Sequence, residues 1–291
     1  MINVTMVSRT ALAGAPWENA KCINKYSDKV RVRWVALRTS YADGRKFPQD
    51  ILYADPEAAR VIAQADIVHV HNEAFPGLES FRRKMLLQFH SCPIRGSFKL
   101  LRGLTSHVYT VSQPMQQREY NLPGLPNMMD PEEYKPKTGS FGSRLKVIFA
   151  PTNNWDTHVI GSKAATDVTS ILRQAVPYVD VEVFSTLNYL ENLERKKQAD
   201  ILIDDLVGKT FHKTALEGCC FGLAVLTSTD HGGWINTNLS SLVSILRRLF
   251  GERDYLREWK KKSREWLLNE WHPVKLVKVY EDAYKKILGG I

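Results

Sequence analysis

The residues best suited to chemistry fall in two regions of the chain. One is Thr214-Ala-Leu-Glu-Gly-Cys-Cys-Phe-Gly-Leu-Ala-Val-Leu-Thr227. It reads as a helix carrying one carboxylate, Glu217, then a stop at Gly222, then a short apolar strand. A carboxylate there can accept hydrogen bonds from two neighbouring hydroxyls, as a nucleotide ribose presents them. Just ahead lies Gly208-Lys-Thr-Phe-His-Lys213. Backbone amides at a helix start, with Lys209, His212 and Lys213, form a candidate pyrophosphate cradle; an ordinary basic loop is the alternative. The other region is a series of strand ends in the first half. Arg9 and Gly14 follow the first apolar run, His71 and Asn72 close DIVHVH, and His90 follows MLLQF. A strand-end imidazole can hydrogen-bond a ligand hydroxyl or a developing charge. A small residue such as Gly14 lets a ligand approach the backbone, but Gly14-Ala-Pro16 is no GxGxxG and supports no dinucleotide fingerprint. Arg9 either binds an anion or pairs with a carboxylate, Glu73 is a further candidate, and His69 reads as core.

These side chains need strands to end where they do. Strands are expected at Ile2–Val7, Val30–Ala36, Asp66–His71, Met85–Phe89 and His107–Val111, with helix-length spacers. The pattern predicts a doubly wound parallel sheet. A proline-rich stretch then interrupts it, and Lys146–Ala150, Val179–Phe184, Asp200–Ile203 and Leu223–Leu226 restart it. The expected fold class is α/β: two Rossmann-like domains facing across a cleft, with ligands at the carboxyl ends of strands. Domain bounds are read as 1–124, a linker over 125–143, a second domain over 144–271, and a helix over 272–291 returning to the first domain.

Composition narrows the class. The 291 residues are 44% hydrophobic and 24% charged, as in globular proteins of two domains. No apolar run would span a bilayer and no signal-like segment opens the chain, so a cytoplasmic location is expected. Four cysteines without CxxC spacing argue against a disulfide framework or a zinc site. Asp204-Asp205 is the nearest approach to a DxD motif, and no metal site is expected. The net charge of +9 leans toward the first half, through clusters such as Arg82-Arg83-Lys84. It favours anionic partners, DNA included, over simple solubility by no clear margin. Lys260-Lys-Lys262 beside Trp259 and Trp266 could meet a membrane surface but reads more simply as a solvated helix face.

Six blocks occur in order along the chain: ADIVHVHN (65–72), QFHSCP (88–93), VYTVSQP (108–114), LPNMMDPEEYKP (125–136), VIFAPTNN (147–154) and LEGCCFGLAVLTS (216–228). Together they resemble the successive blocks of GT-B glycosyltransferases, specifically glycosyltransferase family 4, in a compact, phage-like form. The resemblance implies a retaining hexosyltransferase-like enzyme that needs no metal. It would use a nucleotide sugar, a UDP-sugar above all, as co-substrate and carry no resident cofactor. Glu217 matches the second glutamate of the family's Glu-x7-Glu motif, which implies a ribose contact. Lys209 stands where the first, sugar-facing glutamate would be. His90 matches a histidine beside the reacting sugar, which implies a catalytic role. Asn153 and Lys163 stand near the family's diphosphate-holding positions, and Arg9, Gly14, His71 and Asn72 near its acceptor and phosphate loops. The acceptors in view are a hydroxymethylated pyrimidine in DNA and a polysaccharide or lipid-linked sugar. A catalytically inactive nucleotide-sugar binder is the reading from another class, and oligomeric state is not legible.

Overall fold

A computed structural model describes residues 1–9, 12–36, 51–52, 56–73, 75, 77–90, 101–113, 117–118, 120–137, 142–151, 163–175, 179–185, 187–230 and 232–289. Residues Met1–Met128 and Pro273–Ile291 form one compact unit, and Met129–His272 form the other.

In the first unit β1 (Ile2–Ser8), β2 (Val30–Ala36), β3 (Ile51–Leu52), β4 (Ile67–His71), β5 (Met85–Phe89), β6 (Val108–Val111) and β7 (Gly124–Leu125) make one sheet. Their order is β3-β2-β1-β4-β5-β6-β7, every pairing parallel. Strands β4, β5 and β6 are buried along their whole length, so their polar residues His69, His71, Gln88 and Thr110 are buried with the apolar ones. Helix α1 (Ala15–Tyr26) opens with Pro16 in its first turn, where the missing N–H costs nothing. Helix α2 (Pro56–Gln64) turns Ala58 and Ile62 into the core.

In the second unit β8 (Leu145–Phe149), β9 (Val179–Val183), β10 (Ile201–Ile203), β11 (Ala224–Thr227) and β12 (Ile235–Asn236) run in the order β12-β11-β10-β8-β9, again all parallel. Helices α3 (Ala165–Ala175), α4 (Tyr189–Lys197), α5 (Lys213–Cys220), α6 (Leu242–Gly251) and α7 (Arg253–Glu270) accompany it. The expected helix, stop and strand at 213–227 are all present. Gly222 adopts φ +61°, while the Leu223 and Gly222 amides donate to the carbonyls of Gly218 (3.0 Å) and Cys219 (3.1 Å). That is a Schellman end, and it needs a residue at ease in the left-handed region. Both units are α/β with a parallel sheet, two Rossmann-like domains.

The stretch expected as a linker, 125–143, is divided between the units because its backbone groups find partners. Leu125 pairs into β7, Pro126 O accepts from the Tyr280 hydroxyl (2.9 Å), and the Met128 amide donates to Asn19 (2.8 Å). Beyond it, the Arg264 guanidinium donates to the carbonyls of Pro131 (2.8 Å) and Tyr134 (3.2 Å). Helix α8 (Pro273–Leu288) belongs to the first unit. Its buried polar groups tie it down: Tyr280 OH accepts from Asn19 (3.0 Å), Glu281 accepts from Ser27 (2.6 Å), and Tyr284 OH meets His69 (2.9 Å). Among the described residues no helix is long and apolar enough to cross a membrane.

Helix α5 lies close against the sheet because residue 218 lacks a side chain. A Cβ there would stand 2.6 Å from Leu202 Cδ2 and 2.7 Å from Val225 Cγ2. Gly218→Ala is expected to cost about 1–3 kcal/mol from overpacking, despite alanine's better helix propensity. A lower urea midpoint with an unchanged slope would register it.

Candidate functional site

Parallel sheets place ligand loops at the carboxyl ends of strands, above all where strand order reverses. In the first unit the reversal lies between β1 and β4, so Arg9, Gly14, Asn72 and Glu73 converge there. In the second unit it lies between β8 and β10, where Lys163 and Asp204 follow. Backbone strain gathers at the same places. The non-glycine residues with positive φ are Leu12 (45°), Ala13 (55°), Asn72 (63°), Asn121 (50°), Lys163 (55°), Ala164 (49°) and Lys209 (49°). All but Asn121 lie in these loops or in the 208–213 loop. Such conformations cost about 1–3 kcal/mol each and persist where the surroundings enforce them.

The second unit holds a buried ionic cluster. The Lys163 ammonium pairs with Asp204. The His212 amide donates to the other Asp204 oxygen (2.6 Å), and the His212 ring lies 3.5 Å from this carboxylate. One Glu217 oxygen pairs with Lys196 of α4, the other with Lys213 (2.9 Å), one turn before it on α5. Lys213 also donates to the Tyr189 hydroxyl and lies 4.4 Å from the ring centre. Lys163, Lys196 and Lys213 are each at most 5% exposed.

Three ammoniums thus crowd two carboxylates. Burial alone would raise both carboxyl groups, but the lysines outweigh it and hold Glu217 and Asp204 below the usual carboxylate range. Lys196 is pulled down, first by burial and then by Lys163 and Lys213, against the support of Glu217. Both carboxylates stay ionised, and with Asp205 on the far side of His212 the site holds three buried acidic groups beside its three lysines. The third acidic group, Asp205, closes the loop by accepting the amides of Val207 (2.8 Å) and Gly208 (2.7 Å). Asp204 and Asp205 are therefore committed to Lys163 and to the loop.

Lys209 is exposed, its amide donating to Ser228 Oγ (2.9 Å). Its ammonium makes no ion pair with any described residue. Lys213, read as part of an open phosphate loop, is instead buried and engaged. The i,i+4 spacing to Glu217 brings it inside as soon as α5 packs against the sheet. Lys163 is buried. Asn153 lies outside the described residues. Sequence reasoning missed Lys196 and Tyr189 altogether.

In the first unit His71, expected at a strand end beside the acceptor or phosphate loop, is in the strand and fully buried. It shares a sheet face with His69 by the period of two, and the rings stack at 4.3 Å and 19°. Its Nδ1 lies 2.8 Å from Nε2 of His90, which is only partly exposed. Asn72 Oδ1 accepts the His90 amide (2.6 Å), so the two strand ends lock together. Burial pushes the imidazoles of His69 and His90 down to about 3 and that of His71 well below its ordinary value. All three are neutral at pH 7. Arg9 is paired with Glu73 (2.8 Å), both partly exposed. Gly14 is buried at φ 76° and caps α1, so its place reflects backbone conformation as much as ligand access. Among the described residues no group of three or more His, Cys, Asp or Glu could hold a metal ion.

No protein-family model matches the chain, and no curated protein matches it either. Solved structures match along nearly its whole length. A glycosyltransferase from Rickettsia africae ESF-5 is 13% identical at a TM-score of 0.64, over 99% of this chain and 98% of that one. An alpha-glucosyltransferase in complex with UDP and a mismatch-containing 13-mer DNA is 11% identical at 0.66, over 98% and 99%. Anabaena Alr3699/HepE, in complex with UDP and glucose, is 10% identical at 0.65, over 98% and 100%. At such identities the likeness is one of fold, the GT-B arrangement of two Rossmann-like domains.

The pairings make an asymmetric prediction. Glu217→Gln leaves both Lys196 and Lys213 buried without their carboxylate and is expected to destabilise by about 3–5 kcal/mol. Lys196→Met leaves Glu217 its Lys213 partner and should cost less than about 2 kcal/mol. Urea unfolding of both variants tests the ordering. The histidines predict acid sensitivity. Their native pKa values lie below the unfolded value near 6.5, so the unfolded chain takes up protons that the native state refuses. Their contribution is complete above pH 6.5 and is lost progressively toward pH 3. For His69 alone the loss reaches about 2 kcal/mol by pH 5. Denaturation at pH 7.5 and 5.0 should show it, with a shallower decline in His69→Gln.

Proposed function

We propose that the protein is a glycosyltransferase that moves a sugar from a UDP-sugar to an acceptor hydroxyl. The observation that carries this is the buried ionic cluster of Lys163, Lys196 and Lys213 with Asp204 and Glu217 at the strand reversal of the second unit, in a fold shared with a UDP-bound alpha-glucosyltransferase and with UDP-bound Anabaena Alr3699/HepE. The amide groups at the start of α5, His212 and the exposed Lys209 are the donors that favour the charge building on a leaving diphosphate. This is the basis for a reaction without a metal. Glu217, kept ionised, accepts from ribose hydroxyls with the lone pairs its lysines leave over. The acceptor binds the first unit near His90, with retention of anomeric configuration.

For the acceptor, we favour a hydroxymethylated pyrimidine in DNA. The net charge of +9 and the DNA-bound alpha-glucosyltransferases of the same fold support it. The base would be flipped out of the stack to be reached.

A panel of UDP-sugars, assayed for UDP release with and without hydroxymethylated duplex, tests both levels. Release with at least one donor, stimulated by that DNA and falling steeply with salt, is the expected result. Release without stimulation would redirect the search to polysaccharide or lipid-linked acceptors. UDP binding with no turnover on any donor or acceptor would leave an inactive nucleotide-sugar binder. In a folded Glu217→Gln variant the donor KM is expected to rise about tenfold, since a neutral acceptor replaces a charged one.

A further inference from the structure

His69, His71 and His90 run in file from the core of the first unit to its surface, and only the outermost enters the proposed function. We propose that His71 is a positioning residue: it fixes His90 in the tautomer protonated on Nδ1, so that the ring offers a ligand an N–H donor instead of a basic lone pair. The functional meaning rests on His90 meeting the acceptor or the transferred sugar; the tautomer itself does not.

The assignment follows from the buried hydrogen-bonding groups, taken from the inside out. The Tyr284 hydroxyl is buried, and its partner is His69 Nδ1 at 2.9 Å. A buried O–H must donate, so His69 Nδ1 accepts and its proton sits on Nε2; that N–H has no partner within hydrogen-bond distance, and the Gln88 amide beside it, whose own buried Oε1 is unpartnered, is the group that influences it. His71, stacked on that ring, has two nitrogens in different settings. Nε2 is buried without a partner, and Nδ1 faces His90 Nε2 at 2.8 Å. A proton on Nε2 would bury an N–H with nothing to receive it, which native structures avoid more strongly than an under-satisfied acceptor. The proton therefore belongs on Nδ1 of His71 and is donated to Nε2 of His90. Both rings being neutral, His90 carries its own proton on Nδ1, which has no partner among the described residues. Asn72 holds the His90 amide and keeps the ring in this register. His90 then acts by donating to an oxygen that gains negative charge; proton abstraction from the acceptor falls to another group.

Two-bond proton–nitrogen correlation on the histidine-labelled, ligand-free protein separates the tautomers. The expected pattern is Nδ1–H for His71 and His90 and Nε2–H for His69. An Nε2–H signal for His90 overturns the inference whatever the activity, while failure of every transferase assay leaves it standing. In His71→Leu the His90 ring should relax toward the Nε2–H form that an unconstrained histidine favours. With the donor and acceptor identified, kcat should fall about tenfold with KM little changed. His71→Gln, which keeps an N–H donor, should restore the Nδ1–H signal in part. If His71→Leu does not fold, the wild-type spectrum alone decides.

Discussion

A parallel strand cannot turn straight back to its neighbour. Each must leave at the carboxyl edge of the sheet and re-enter at the amino edge, so every outgoing loop of one sheet lies along the same edge. Nearly everything of chemical interest in this chain depends on that constraint. It sets Asn72 and His90 side by side although 18 residues separate them. It sets Lys163 against Asp204 across adjacent strands β8 and β10. The same loops hold most of the left-handed non-glycine residues, since loops anchored at both ends by a rigid sheet can be held in conformations they would not choose alone.

The two units handle buried polarity in opposite ways. In the first, burial strips charge: the imidazoles are kept neutral and arranged as donors and acceptors. In the second, burial is matched by pairing, and Lys163, Lys196 and Lys213 share Asp204 and Glu217. A neutral file of rings suits fine placement of one hydrogen-bond donor. A cationic cluster suits the recognition of a polyanion, because the attraction is strong and tolerant of small displacements.

The parts of the fold legible in sequence were those in which burial and chain direction coincide. Strands such as Leu145–Phe149 and Ile67–His71 lie between other strands and are covered on both faces, so their composition declares them. The short strands β3, β7 and β12 pair over two residues each and carry no such pattern. Glu217 was legible because helix, stop and strand surround it. Lys196 was not: in the run LENLERKK it resembles any solvated lysine, and only the packing of α4 against α5 brings it to Glu217. His71 was read as a ligand-loop candidate because it ends a strand. That it stacks on His69, whose partner Tyr284 arrives on α8 more than 200 positions later, carries no local signal.

Helix α8 carries a consequence for how the molecule is made. On the ribosome, residues 1–128 emerge first, yet the slots filled by Tyr280, Glu281 and Tyr284 stay open until the whole of the second unit has been synthesised. At about 5–20 residues per second that interval is on the order of ten seconds. Throughout it the nascent first unit presents water to the Asn19, Ser27 and His69 side chains it will later bury. The second unit, by contrast, is one continuous stretch of chain. Biogenesis therefore runs against the order of translation: the unit made second is completed first, and helix α8 then seals the other.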